Sequence, residues 1–154
     1  IGIDPVSGGN LRMTSDEFFK NCDQKFDCIF IDGLHEYSQV KKDIKNSLNF
    51  LNHNGIILLH DCLPSNIFNQ AMPRCQYDWN GDVWKSVVKL RCSNPDLEIF
   101  TVDTDCGCAV LKRGNQKLYD RVPLSAALNW NYFCVNKKEL LNLISIEEFS
   151  AKNI

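Results

Sequence analysis

No charge of one sign dominates this chain. Its formal net charge is −2, so the balance gives no electrostatic reason to expect nucleic acid or an anionic membrane as a partner. Long apolar runs are also missing: none is long enough to span a bilayer, and no secretory signal is visible, which points to the cytoplasm. The eight cysteines, at 22, 28, 62, 75, 92, 106, 108 and 134, include no Cys-x-x-Cys pair. This argues against a structural zinc site and for reduced thiols. Internal repeats and low-complexity segments are absent. Without a G-x-S-x-G elbow, a Walker loop or an H-E-x-x-H helix, a Ser/His/Asp hydrolase has no nucleophile in its expected context. What remains is 154 residues, 44% hydrophobic and 23% charged, an ordinary globular composition of a size for one domain with a sizeable core.

Residues 1–4 read as a short strand stopped by Pro5, followed by a Ser/Gly/Asn loop and a small strand over residues 11–13. Ser15 suits an N-cap, with Asp16 and Glu17 in the first turn of a short helix reaching about Cys22. Phe26–Ile31 is apolar apart from Asp27, and reads as the type of strand buried on both faces of a parallel sheet. Tyr37, Val40, Ile44, Leu48 and Leu51 then recur at helical spacing, which predicts an amphipathic helix over about 36–51. Asn54-Gly55 ends that helix and starts a strand over 56–60. Residues 63–80, with Pro64 and Pro73, show little periodicity, and a loop of that length is functional or disordered. Gly81 or Asp82 opens the next helix. Strands at Leu97–Val102 and 107–111 are expected to pair antiparallel across an Asp-Thr-Asp turn. From Pro123 onward the chain reads as helical, first around Trp130, then over 137–144 and 146–149. Alternation of strands and helices argues for a mainly parallel α/β sheet.

Two apolar strands end in acids and histidines: Ile31-Asp32-Gly33-Leu34-His35 and Leu59-His60-Asp61. In open α/β sheets ligands bind at the carboxyl ends of strands, so these residues are expected to form one site. His35 or His60 suits a general base. Asp32, His60 and Asp61 form a candidate ligand set for Mg²⁺ or Mn²⁺, and zinc accepts the same donors; alternatively the acids cap the following helix and turn. Asp4, at the end of the first strand, either accepts hydrogen bonds from a ribose diol or caps the turn at Pro5. Trp84 is expected in the core, Trp79 and Asp82 are left open between pocket wall and scaffold, and Arg74 reads as solvated.

The run Asp27-Cys28-Ile29-Phe30-Ile31-Asp32-Gly33-Leu34-His35-Glu36-Tyr37, with Gly55-Ile56-Ile57-Leu58-Leu59-His60-Asp61, resembles the class I S-adenosylmethionine-dependent methyltransferases, most closely the small-molecule O-methyltransferase-like group. Ile1-Gly2-Ile3-Asp4-Pro5, Met13 to Phe19, Trp79-Asn80-Gly81-Asp82 and Asp103 to Gly107 are similar to a bacterial subgroup of that family. The resemblance implies a Rossmann-like sheet, mainly parallel with an antiparallel last strand, and S-adenosylmethionine as cofactor. It implies that Asp4 binds ribose, that Asp16 lies near adenine, and that Asp32-Gly33 lies near the methionine part and a small-molecule acceptor.

The chain departs from the family in two places. Metal-dependent relatives carry Asp-Asp or Asp-Asn where this chain has His60-Asp61, which bears on the use of Mg²⁺. The family's first strand and its E/D-x-G-x-x-x-G loop have no counterpart, so the chain is expected to be a truncated domain with impaired cofactor binding and open sheet edges that favour a homo-oligomer. Two further readings stand beside this one. The first is a non-catalytic α/β binding or assembly module. The second, weaker, is a metal-dependent hydrolase built on Asp32, His35, His60 and Asp61.

Overall fold

The structure, a computed structural model, describes residues 1–152. Its elements in chain order are α1 (Ser15–Asn21), β1 (Phe26–Ile31), α2 (Tyr37–Phe50), β2 (Leu51–Leu59), α3 (Trp84–Ser93), β3 (Leu97–Val102), β4 (Cys108–Arg113), α4 (Leu124–Ala127), α5 (Trp130–Leu140), β5 (Leu143–Ile144) and α6 (Ile146–Ser150). The five strands form one sheet in the order β1-β2-β4-β3-β5. β1 pairs parallel with β2 and β3 with β5, while β4 lies antiparallel between β2 and β3. The antiparallel β3–β4 pair is as expected, and β4 alone runs against the other strands. This mixed α/β sheet is consistent with a Rossmann-like fold.

Side chains alternate across the sheet, as the pleat requires. Ile57, Leu59, Ile99, Ala109 and Leu111 face one side. There they meet Val40 and Ile44 of α2, Trp84, Val87 and Val88 of α3, and Phe133 and Leu140 of α5 in the main core. Trp84 and Phe133 pack with ring centroids 4.2 Å apart, and Trp130 lies against both. Trp84 is therefore core, as its helical spacing implied. The other side carries a smaller cluster of Phe100, Val102 and Val110, with Leu58, Ile144 and Phe149 packed against it.

Several expectations are corrected. Residues 1–4 do not join the sheet; a single parallel bridge, Ile3 to Leu11, ties the N-terminal segment to itself. α1 is capped by Thr14 rather than Ser15, in a capping box with Glu17. Ser15 instead donates to the buried Asp43 carboxylate at 2.6 Å, fastening α1 to α2. α2 ends at Phe50, and Asn54-Gly55 lies inside β2. That happens because β1 offers Leu51 a partner: Phe26 pairs with Leu51 ahead of a register irregularity, and Asn52 Nδ2 donates to Asp27 at 2.7 Å.

β1 is not buried on both faces. It is an edge strand, with Ile31 its only buried residue and Phe30 58% exposed, because among the described residues only β2 lies alongside it. Near the C-terminus the expected helix over 137–144 stops at Leu140. Asn142 takes a positive φ of 48° and its side chain donates to the Ile99 carbonyl at 3.0 Å, turning Leu143–Ile144 into a strand.

Candidate active site

β1 and β2 run parallel and end together, so Asp32 and His60-Asp61 leave the sheet at one rim. β4 runs the other way, which brings the turn that precedes it to the same rim and adds Asp105. His60 Nδ1 lies 3.1 Å from Asp32 Oδ1 and its Nε2 lies 3.2 Å from Asp105 Oδ2. His35 follows Asp32 by three residues and turns back onto it, its Nε2 3.4 Å from Asp32 Oδ1 and its Nδ1 3.1 Å from Asp61 Oδ2. The sequence-predicted quartet of Asp32, His35, His60 and Asp61 is thus brought together. Asp105 is the member sequence reasoning missed; the available signal was that an antiparallel strand begins where its parallel neighbours end.

Asp61 is held hard in place. It is buried at 7% exposure with φ at 61°, a left-handed conformation that costs a non-glycine residue energy. The backbone after it is pinned by hydrogen bonds from Cys62 N–H to Gly107 and from Leu63 N–H to Cys106, at 2.9 and 2.7 Å. Asn80 Nδ2 donates to Asp61 Oδ1 at 2.5 Å. The long loop therefore folds against the rim. Within it Asn69 receives the N–H groups of Asn80 and Gly81 on its carbonyl, and its side chain donates to the Asp78 carbonyl at 2.8 Å. Trp79 stacks on His35 with centroids 5.5 Å apart and 23° between planes, which makes it a wall of the site. Asp82 has a scaffold role: its Oδ1 accepts from Tyr37 N–H at 2.6 Å and caps α2 from another part of the chain.

Burial alone would lower the pKa of His60, but the negative charges of Asp61, Asp32 and Asp105 outweigh it and the net shift is upward. Burial pushes the Cys62 thiol well up, and Cys108 is raised by burial and then by Asp105 and Asp32. Neither thiol rests as a thiolate nucleophile near neutral pH. Asp32, His35 and Asp61 are the one group of such side chains, among the described residues, whose donor atoms lie within 4.8 Å of one another. His35 stands there where the sequence pattern put His60, though His60 Nδ1 is also only 3.6 Å from Asp61. Two carboxylates and an imidazole make a mixed oxygen–nitrogen set, whereas Mg²⁺ favours oxygen ligands throughout. The donors present fit Mg²⁺ poorly.

The remaining predicted residues lie apart from this cluster. Asp4 accepts from the N–H groups of Val6 and Ser7 at 2.6 and 2.5 Å, and these bonds, Ser7 first, hold its pKa below the usual value. It thus caps the turn at Pro5, through Oδ1 alone. Asp16 is exposed on α1 and faces α2, 3.5 Å from Asn46 Nδ2 and 3.8 Å from Lys42 Nζ. Gly33 is exposed, and a Cβ added there would meet no atom within 4 Å. Arg74 is exposed yet engaged, donating to the carbonyls of Gln76 and Tyr77 while its guanidinium lies 5.7 Å from the Trp79 ring centre.

Acids and histidines are crowded here at the carboxyl ends of two neighbouring parallel strands, the place where open α/β sheets commonly bind ligands. Residues 9–62 match a family model described as a methyltransferase domain. Over that segment, which runs from before α1 to Cys62, the chain is similar to a methyltransferase domain. No curated protein matches the chain. No helix among the described residues is long and apolar enough to cross a membrane.

Proposed function

We propose that this domain transfers a methyl group from S-adenosylmethionine to a small-molecule acceptor. The observation that carries the reading is the convergence of Asp32, His35, His60 and Asp61 at one rim, inside the matched segment. S-adenosylmethionine, when bound, supplies an electrophilic methyl group on a positively charged sulfur. The chain's own residues bind, orient and move a proton. Asp32, Asp61 and Asp105 give the rim acidic character that suits a cation. The open space at Gly33 lets a ligand approach the backbone after β1. Asp4 keeps Oδ2 for a ribose hydroxyl, and Asp16 is assigned to the adenine amino group. His35 or His60 takes the proton of the acceptor, with Asp32 orienting it. No step is drawn through a metal.

Because no strand lies on the outer edge of β1 among the described residues, the rim is open on that side and cofactor affinity is expected to be low. The same edge supports self-association with a second copy. Amide NMR of the folded protein titrated with S-adenosylhomocysteine tests the central claim. Saturable shifts at Asp32, Gly33 and the Asp4 turn are expected. A well-dispersed spectrum that does not respond to millimolar ligand defeats the proposal.

A further inference from the structure

Four consecutive residues close on His35 from one side. The Trp79 carbonyl oxygen lies 3.1 Å from His35 Nδ1 in hydrogen-bonding geometry, and the Trp79 ring stacks on the imidazole. That indole is itself fixed, its Nε1 donating to the Ala71 carbonyl at 2.7 Å. Asn80, 4% exposed, holds Asp61, whose other oxygen faces the same Nδ1 at 3.1 Å. Gly81 has φ at 63° and sits so close that a Cβ there would run into the His35 carbonyl. Asp82 N–H donates to that carbonyl at 3.2 Å.

A backbone carbonyl can only accept a hydrogen bond, so Nδ1 must carry the hydrogen in the neutral ring. The lone pair is then on Nε2, which faces the rim on the side of Asp32. We propose that Trp79 to Asp82 form a positioning clamp that fixes His35 as the Nδ1–H tautomer, leaving Nε2 as the atom that receives the acceptor's proton. The assignment of that proton rests on the methyl-transfer reading; the tautomer does not. In the step, the acceptor O–H or N–H proton passes to Nε2 and its bonding pair stays on the acceptor atom. That atom forms the bond to the methyl carbon while the carbon–sulfur pair returns to sulfur.

Long-range proton–nitrogen NMR of histidine-labelled, metal-free protein reads the tautomer directly, at a pH where His35 is neutral. The expected result is a protonated Nδ1 in the unmodified chain, a mixture of tautomers in Trp79→Ala, and recovery in Trp79→Phe. With cofactor and an accepted substrate, Trp79→Ala is expected to lower kcat roughly tenfold, with little change in KM for cofactor, as befits loss of a base's orientation. A neutral His35 protonated at Nε2 in the unmodified chain overturns the clamp, and so does a Trp79→Ala variant with unchanged tautomer and unchanged kcat. An Nδ1–H tautomer in a protein that binds no S-adenosylhomocysteine supports the clamp and removes the methyl-transfer reading alone.

Discussion

His60 Nδ1 stands 3.1 Å from the carboxylate of Asp32, so the ends of β1 and β2 are joined by a charge pair as well as by backbone hydrogen bonds. Because the folded-state pKa of His60 is raised above its ordinary value of 6.5, protonated His60 is favoured by folding. Its contribution to stability is present in full below the unfolded-state pKa. It fades as pH climbs from about 6.5 through the raised folded-state value. Urea unfolding across that window is expected to show this loss, and His60→Gln is expected to flatten it. A variant with the same slope as the unmodified chain refutes the assignment.

Asp82→Ala removes the cap on α2 and the ion pair to Lys85 Nζ at 3.0 Å. Loss of an N-terminal cap costs about 1 kcal/mol, and up to about 2 in folded proteins. Chemical denaturation is expected to show a lower midpoint with unchanged slope, and Asp82→Asn, which can still accept from Tyr37 N–H, is expected to recover much of it.

Gly81→Ala places a side chain at a left-handed backbone position and against the His35 carbonyl. The backbone conformation alone costs roughly 1–2 kcal/mol, with the collision in addition. A drop in thermal midpoint, together with a displaced His35 ring signal, is the expected outcome; a variant matching the unmodified chain in both measurements contradicts this packing of Gly81 on His35.

Phe133 is fully buried between Trp84 and Trp130. Phe133→Ala is expected to destabilise the domain by about 3–5 kcal/mol. Equilibrium unfolding followed by tryptophan fluorescence reads this directly, since both indoles border the cavity. Phe133→Leu is expected to cost far less.

The self-association proposed for the β1 edge predicts a concentration-dependent sedimentation coefficient. Phe30→Lys adds a charge to this exposed edge and is expected to shift the protein toward monomer. A protein that sediments as a monomer at every concentration removes that proposal.

Much of the fold was legible because local rules acted unopposed. The apolar run at Phe26–Ile31, the helical spacing from Tyr37 to Leu48, and the paired strands around the Asp103 turn all formed as their patterns imply. The rim quartet was legible for the same reason, since parallel strands deliver their last residues to one place. What stayed hidden depends on distant partners. Periodicity describes the faces of β1 but not what lies beside it, so its exposure could not be read. Asp82 caps a helix that begins 45 positions earlier in the chain, and Trp79 meets His35 across 44. Asn142 looks like any helical asparagine until Ile99 provides a carbonyl for it.

Across the second face of the sheet, Phe30, Leu58, Val110 and Phe100 sit side by side in register. The row passes from 58% exposed at Phe30 to 1% at both Val110 and Phe100. Protection against amide exchange is expected to fall in the same direction, leaving β1 as the strand that opens first. Yet β1 is also the strand that delivers Asp32 to the rim. Filling the rim and closing this strand are therefore one equilibrium. A cationic ligand that engages Asp32 is expected to slow exchange along β1, and loss of the His60 proton, which weakens its pairing with Asp32, is expected to loosen the strand from β2.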